Sequence, residues 1–233
     1  MGAIAKFFGY IAVRPHPLPA GEGTRKTSYQ TILSAASRMS NPLPKLILAS
    51  RSPRRRELLA AAGYEFDVCP PSDSAECGLC SGESPCELVS RLAYQKASDV
   101  AGRIAAGIVL GCDTVAECNG QVLGKPANED HARAMLRILS GREHRVFSGL
   151  CLWRVPDGEP LVRVAVTTLR MDQLTPGLLD EYLAGGHWEG KAGAFGYQDG
   201  LDWVHVIEGS ESNVVGLPME LLAEMLEVLL GKK

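Results

Sequence analysis

Four separated stretches of this sequence place charged side chains where a phosphate group could be held or attacked. The first is Lys45-Leu-Ile-Leu-Ala-Ser-Arg-Ser-Pro-Arg-Arg-Arg-Glu-Leu-Leu59, in which Ser50 and the arginines Arg51, Arg54, Arg55 and Arg56 crowd a turn and the start of a helix. Ser52 is a good N-cap and Pro53 suits the first helical position, so the helix start is doubly marked. A helix N-terminus already carries unsatisfied N–H groups and partial positive charge, and cations there are unfavourable until an anion joins them. The second stretch is Asp113-Thr114. It follows the apolar run Ile108-Val-Leu-Gly-Cys112 and reads as the C-terminal end of a strand, where α/β proteins gather active-site groups. The third is Lys125 in Gly124-Lys-Pro126, just after the hairpin signal Asn119-Gly120, and the fourth is Lys191 at the head of a glycine-rich loop. Each also has a plain reading: a solvated basic helix end, an aspartate that caps the next turn, two surface lysines.

The elements that must position these groups alternate between strand and helix. Leu46 to Ala49 reads as a buried strand, followed by a helix to about Ala62 with Gly63 as its stop, and Tyr64 to Cys69 alternates like a second strand. Ser84-Pro85-Cys86-Glu87 is a capping box that opens a long helix carrying Arg91, Gln95 and Lys96. Ile108 to Cys112 is a strand, a further short strand reaches Asn119-Gly120, and Asn128 caps a helix that Gly141 ends. Val146 to Trp153 and Leu161 to Met171 pair as a hairpin across Pro156-Asp-Gly158. Thr175-Pro176 opens a helix ending at Gly185-Gly186, Leu201 to Ile207 is a strand, and Leu221, Leu222, Met225 and Leu229 recur at helical spacing in the last helix. Helices and strands interleave, but hairpins interrupt strict βαβ alternation, so the expected class is α/β with a mixed sheet.

The chain has 233 residues, 45% hydrophobic and 22% charged, with net charge −3. That suits a globular protein with a sizeable core. It argues against a dedicated nucleic-acid or membrane-surface binder, and no apolar run approaches the roughly 18 residues of a membrane span. Seven cysteines, without a secretory signal, point to reduced thiols in the cytoplasm. Residues 1–44 are rich in Pro and Gly and show no sustained periodicity; they read as a disordered extension, with Met39 a candidate start, and the domain proper spans 45–231.

Seven motifs in order tie these stretches together: Ser50-Arg-Ser-Pro-Arg-Arg-Arg-Glu-Leu-Leu59, Arg91-Leu-Ala-Tyr-Gln-Lys-Ala97, Gly111-Cys-Asp-Thr-Val115, Gly124-Lys-Pro126, Leu139-Ser-Gly141 with His144, Lys191-Ala-Gly-Ala-Phe-Gly-Tyr-Gln198 and Asn213-Val-Val-Gly-Leu-Pro218. Residues 45 to 230 thereby resemble the Maf family of nucleoside triphosphate pyrophosphatases. The resemblance implies hydrolysis of a nucleoside triphosphate to the monophosphate and pyrophosphate with a divalent cation, Mg²⁺ or Mn²⁺. It also implies an elongated mixed sheet with two lobes around a deep cleft, usually in a homodimer. Carried over by position, it makes Asp113 the catalytic proton acceptor and a metal ligand, and Ser50, Arg54, Arg55, Lys96, Lys125 and Lys191 the polar, phosphate-facing groups. Arg54, Thr114 and Gln198 resemble the dTTP/UTP branch of the family, whereas relatives acting on 7-methyl-GTP carry Trp, Gln and Glu there. Gln offers a donor and an acceptor to the acceptor–donor–acceptor edge of uracil or thymine. The rival readings are a pyrophosphatase for 7-methyl-GTP or other modified nucleotides, and a nucleotide-binding regulator of cell division.

Some residues depart from the pattern. Ala75 stands where many relatives carry an acidic residue, and Glu76 is the substitute candidate for a metal ligand. Cys77 and Cys80, with Cys69 and Cys86 nearby, lie outside the family pattern; they read as ordinary reduced thiols, with zinc or a redox pair as alternatives. Ser148 stands where Thr is common and keeps the hydroxyl. Arg51 and Arg56 read as solvated surface, His144 as a structural hydrogen-bonding residue, and the three tryptophans as core or interface.

Overall fold

The computed structural model describes residues 44–75 and 82–231, so the N-terminal extension up to residue 43, Glu76 and the Cys77/Cys80 pair lie outside the described residues. A seven-stranded mixed sheet runs through the chain, with β1 (Leu46–Ala49), β2 (Phe66–Val68), β3 (Gly107–Cys118), β4 (Gln121–Leu123), β5 (Glu143–Val155), β6 (Leu161–Met171) and β7 (Val204–Glu208). Its order is β2-β1-β3-β5-β6-β7, with β4 paired to β3. β1 is parallel to both β2 and β3; β3, β5, β6 and β7 are joined antiparallel. The expected mixed α/β architecture is the one observed.

The central strands are covered on both faces, which is why they read as unbroken apolar runs. Leu46, Leu48, Ile108, Leu110 and Cys112 pack with Leu217 and with Leu222 and Met225 of the last helix, α6 (Met219–Leu229). On the other face Ile47, Ala49 and Val109 pack with Ala93, Ala97 and Val100 of the long helix α2 (Pro85–Ala101). A separate cluster holds Ala116 and Cys118 of β3 with Leu123, Val146, Leu169 and Met171. Ala132, Met135, Leu136 and Leu139 of α3 (Glu129–Leu139) and Leu179 and Leu183 of α4 (Pro176–Ala184) complete that cluster. β3 therefore serves different clusters along its length, its first half those on the two faces and Ala116 and Cys118 the third. Asp113 and Thr114 fall between them.

Helix ends follow their sequence signals. Ser84 and Glu87 form the full capping box of α2, Asn128 caps α3 and Thr175 caps α4. The Asn119-Gly120 turn has positive φ at both residues, 52° and 80°, as a tight hairpin requires. The short second strand is Phe66–Val68 rather than Tyr64–Cys69, and the strand expected at Leu201–Ile207 begins at Val204. The larger correction concerns Asp113. It does not end a strand; β3 continues without a break for twelve residues, because β5 pairs with it from Gly107 to Glu117.

Two glycines let α2 lie directly on the sheet. A Cβ at Gly111 would stand 2.2 Å from the Ala93 carbonyl oxygen, and one at Gly149 2.2 Å from that of Val89. Both obstacles are helix backbone, which cannot swing aside. Gly149→Ala should therefore destabilise the protein by about 3 kcal/mol, at the upper end of overpacking costs. Urea unfolding followed by circular dichroism measures this, and a loss below about 0.5 kcal/mol would contradict the close approach.

Candidate active site

β1 leaves β3 after the pair Ala49–Gly111, and β4 joins it only at Ala116–Leu123. Between these points one edge of β3, from Cys112 to Val115, has no strand partner among the described residues. A bare edge inside a sheet must satisfy its backbone groups in another way. Here Arg55, from the first turn of α1 (Pro53–Ala61), does so. One of its guanidinium nitrogens donates to the Cys112 carbonyl at 2.8 Å and to Ser50 Oγ at 3.1 Å. Its Nε donates to the Gly216 carbonyl at 2.8 Å, and its other terminal nitrogen to Thr114 Oγ1 at 3.2 Å. Thr114 Oγ1 also lies 2.8 Å from Ser148 Oγ and 3.3 Å from the Gly216 carbonyl oxygen. Ser50, Arg55 and Thr114 are thus brought together, with Arg55 a buried cross-link at 8% exposure.

Because strand side chains alternate, Asp113 points to the opposite face from Thr114. There it meets α2: Lys96 Nζ donates to Asp113 Oδ1 at 2.7 Å, with only 7% and 15% of the two side chains exposed. Lys96 reaches the aspartate because Gly111 and Gly149 let the helix settle close to the strand. The notch is the place where groups from both faces can converge on one ligand, around an edge that carries no neighbouring strand.

The remaining cations line the face that carries Arg55. Ser52 caps α1 only by position: its side chain makes no cap bond, Pro53 occupies the first turn, and no acidic residue lies there, which leaves the helix N-terminus suited to an anion. Arg54 donates to the Gly190 carbonyl at 2.9 Å. Partial burial lowers its pKa and the charge of Arg55 lowers it further, while Asp199 and Glu57 oppose the shift. Lys191 is buried and ion-paired with Asp199. The loop that starts with Lys191 turns at Gly193 (φ 69°), whose N–H donates to the Gly124 carbonyl at 3.0 Å. Gly193 must lack a side chain, since a Cβ would sit 3.1 Å from that of Ala116 on β3. That bond ties the Lys191 loop to the segment carrying Lys125, which is exposed, and Gln198 is exposed in the single turn Tyr197–Asp199.

Arg51 is exposed, as its sequence reading expects, and pairs on the surface with Asp73 at 2.6 Å and with the Pro71 carbonyl at 3.0 Å. His144 has the structural role expected of it: it packs edge-on against Phe195 at 5.3 Å and its Nδ1 lies 3.5 Å from the Arg142 carbonyl oxygen, while its buried Nε2 has no hydrogen-bond partner among the described residues. Asn213 sits in a short helix, α5 (Glu211–Val215), where its side chain donates to the Val146 carbonyl and Thr167 Oγ1. Trp153 stacks on Tyr94 and Trp203 packs in the core against Tyr182, as core tryptophans should. Asp199 and Gly216 belong to the site geometry but carry no chemical signal in the sequence; a carboxylate eight residues from a loop lysine is the one hint for Asp199.

A mixed α/β sheet whose β3 edge carries a buried Lys–Asp pair on one face and Arg54, Arg55 and Lys191 on the other suits the handling of phosphate groups. The chain belongs to the family of Maf-like proteins, whose model matches residues 45–229. A relative from Rhodopirellula baltica named dTTP/UTP pyrophosphatase is 62% identical over 189 residues, covering 80% of this chain and 83% of that protein. Relatives with the same name from Dictyoglomus thermophilum and Geobacter sulfurreducens are 40% and 43% identical, over 79% and 75% of this chain and 96% and 91% of theirs. A crystal structure of a nucleoside-triphosphatase (dITP/XTP pyrophosphatase) from Mycobacterium abscessus matches 80% of this chain and 97% of that one, but its TM-score of 0.36 at 14% identity carries no argument.

Burial depresses the pKa of His144 from 6.5 to about 4. Between these values the unfolded chain binds the proton and the folded chain does not, so stability rises with pH. The neutral imidazole's contribution is complete above about pH 6.5 and falls by about 3 kcal/mol as pH drops to 4. Urea unfolding at pH 7 and pH 4 should show wild type losing about that much more stability than His144→Leu. Equal losses would contradict a desolvated imidazole.

Proposed function

We propose that the protein hydrolyses dTTP and UTP to the monophosphate and pyrophosphate, in the cytoplasm, as a homodimer, with a divalent cation. The observation that carries this reading is the buried Asp113–Lys96 pair on the β3 segment whose other face carries Thr114 and Arg55, with Arg54 and Lys191 held by the neighbouring loop. The nucleotide itself is inferred from the relatives, each named for dTTP and UTP.

In this reading a water molecule attacks the α-phosphorus and Asp113 takes its proton, with Lys96 fixing the carboxylate through Oδ1. Positive charge from Lys125, Lys191 and the α1 N-terminus offsets the charge that grows on the phosphoryl oxygens and on the departing pyrophosphate. Arg55 keeps the bare edge of β3 in shape while this happens. Gln198, exposed on its turn, meets the base edge, and Arg54 lies beside the same loop.

Among the described residues no three His, Cys, Asp or Glu side chains cluster into a metal cage. Asp113 supplies one carboxylate, and Mg²⁺ is readily completed by phosphate oxygens and water, so the donor set fits an ion that arrives with the nucleotide. When bound, such an ion would add Lewis-acid polarisation of the phosphate. No helix among the described residues is long and apolar enough to cross a membrane.

Pyrophosphate release from a panel of nucleotides tests the reading. Wild type should prefer dTTP and UTP, lose turnover in excess chelator and regain it with Mg²⁺ or Mn²⁺. Asp113→Asn should lower kcat by about a thousandfold, a typical general-base contribution. Turnover that survives in Asp113→Asn would remove the aspartate from its role. A preference for 7-methyl-GTP would overturn the substrate, and no turnover at all would favour a nucleotide-binding regulator.

A further inference from the structure

Asp199 belongs to none of the sequence motifs, yet its carboxylate holds the ammonium of Lys191 across eight residues of chain. The pair is shielded, with 11% and 21% of the side chains exposed, and Gly196 makes it possible. A Cβ at Gly196 would lie 2.3 Å from both Lys191 Nζ and Asp199 Oδ2, so any larger residue would force these two side-chain ends to move from their present place. The same carboxylate acts on a second cation, since its charge raises the pKa of Arg54 against the effect of burial. Arg54 in turn holds the residue before Lys191 through the Gly190 carbonyl.

The backbone alone does not hold this loop to one shape. Lys191 is anchored through Gly193 to Gly124, and Phe195 is buried against His144. Beyond Phe195 the chain has a single turn, closed by the Asp199 N–H to the Gly196 carbonyl at 3.0 Å, before Gly200 leaves in the left-handed region. Gln198 sits on that turn with its side chain in solvent. Among the described residues the Lys191–Asp199 ion pair fastens the turn back to the head of the loop, while Tyr197 ties the turn to Glu211 at 3.3 Å and packs against the core.

The geometry points to Asp199 as a positioning residue that sets base selectivity, holding Gln198 and the phosphate-binding Lys191 at one fixed separation. This rests on the dTTP/UTP pyrophosphatase reading given above. Lys191 has three N–H donors and spends one on Asp199, so it can serve a phosphate while it is held. A Gln kept at a set distance from the phosphate cation can tell uracil from cytosine, whose pairing edge exchanges a donor for an acceptor. A Gln free to drift meets either edge equally well.

Two variants of the full chain test this, Asp199→Asn, which removes the charge, and Gly196→Ala, which keeps every charge and displaces the paired groups. In both, kcat/KM for UTP should fall about tenfold or more while that for CTP changes little, so the UTP:CTP ratio contracts about tenfold. A merely structural role would lower both nucleotides alike, and an unchanged ratio overturns the inference whether or not the rates fall. If wild type turns over neither dTTP nor UTP, the functional reading fails separately. Calorimetric binding of UTP and CTP to wild type and Asp199→Asn then decides, and either the same ratio in both or no binding to either overturns the inference.

Discussion

A guanidinium at 8% exposure whose bonds go to two carbonyls and two hydroxyls is the constraint on which this site is built. Moving a charge out of water costs several kcal/mol, and neutral acceptors return only part of that. Among the described residues no carboxylate pairs with Arg55, so its positive charge is left to act on whatever enters the notch. Arg55 also joins segments that are far apart in the chain, since the Gly216 carbonyl is 161 residues away and that of Cys112 57. A lysine could not replace it: an ammonium has no planar fork with which to reach Ser50, Thr114 and two divergent carbonyls at once. The short β1 depends on the same residue, because a strand that stops at Ala49 leaves the Cys112 carbonyl needing a donor, and Arg55 is that donor.

The alternation of β3 then sorts the chemistry by face. Thr114 turns toward Arg55, Ser148 and Gly216, and Asp113 turns toward α2 and Lys96. Each face also belongs to a different packing problem. Gly111 and Gly149 give up side chains so that α2 can approach and deliver Lys96, whereas Gly193 and Gly196 give them up so that the Lys191 loop can close on β3 and on Asp199. Charged groups gather where the two hydrophobic cores hand over from Cys112 to Ala116, so neither core has to bury them without partners.

What could be read in the sequence was local. The Ser84 capping box, the Asn128 and Thr175 caps and the Asn119-Gly120 hairpin were legible because their physics is complete within a few residues. The position of Asp113 was misread for a physical reason: a polar pair after a buried apolar run looks like a strand end, and only the long pairing with β5 shows that the strand continues. Arg55 and Thr114 could be marked as site residues, but not as partners, since a hydrogen bond between residues 59 apart leaves no periodicity. Arg51 is solvated as expected, but its surface partner Asp73 was not legible because it lies beyond a Pro-Pro turn. Asp199 left no signal beyond a short spacing to Lys191, which many surface pairs share.

The two ion pairs near the notch hold their lysines in different ways. Lys96 and Asp113 are joined across the packed face of a long helix, and that helix cannot shift without breaking its contacts at Gly111 and Gly149. Lys191 and Asp199 are joined within one loop, which is held by a few backbone bonds and by Phe195 rather than by the length of a helix. The first geometry suits a proton transfer, where a displacement of 1 Å costs about a hundredfold in rate. The second suits recognition, where a lysine and a reading side chain must stay in register yet let a base enter and leave. Rigid support beneath the reacting phosphorus and a lightly fastened loop around the base are what an enzyme needs if it is to be strict about chemistry and still release its product.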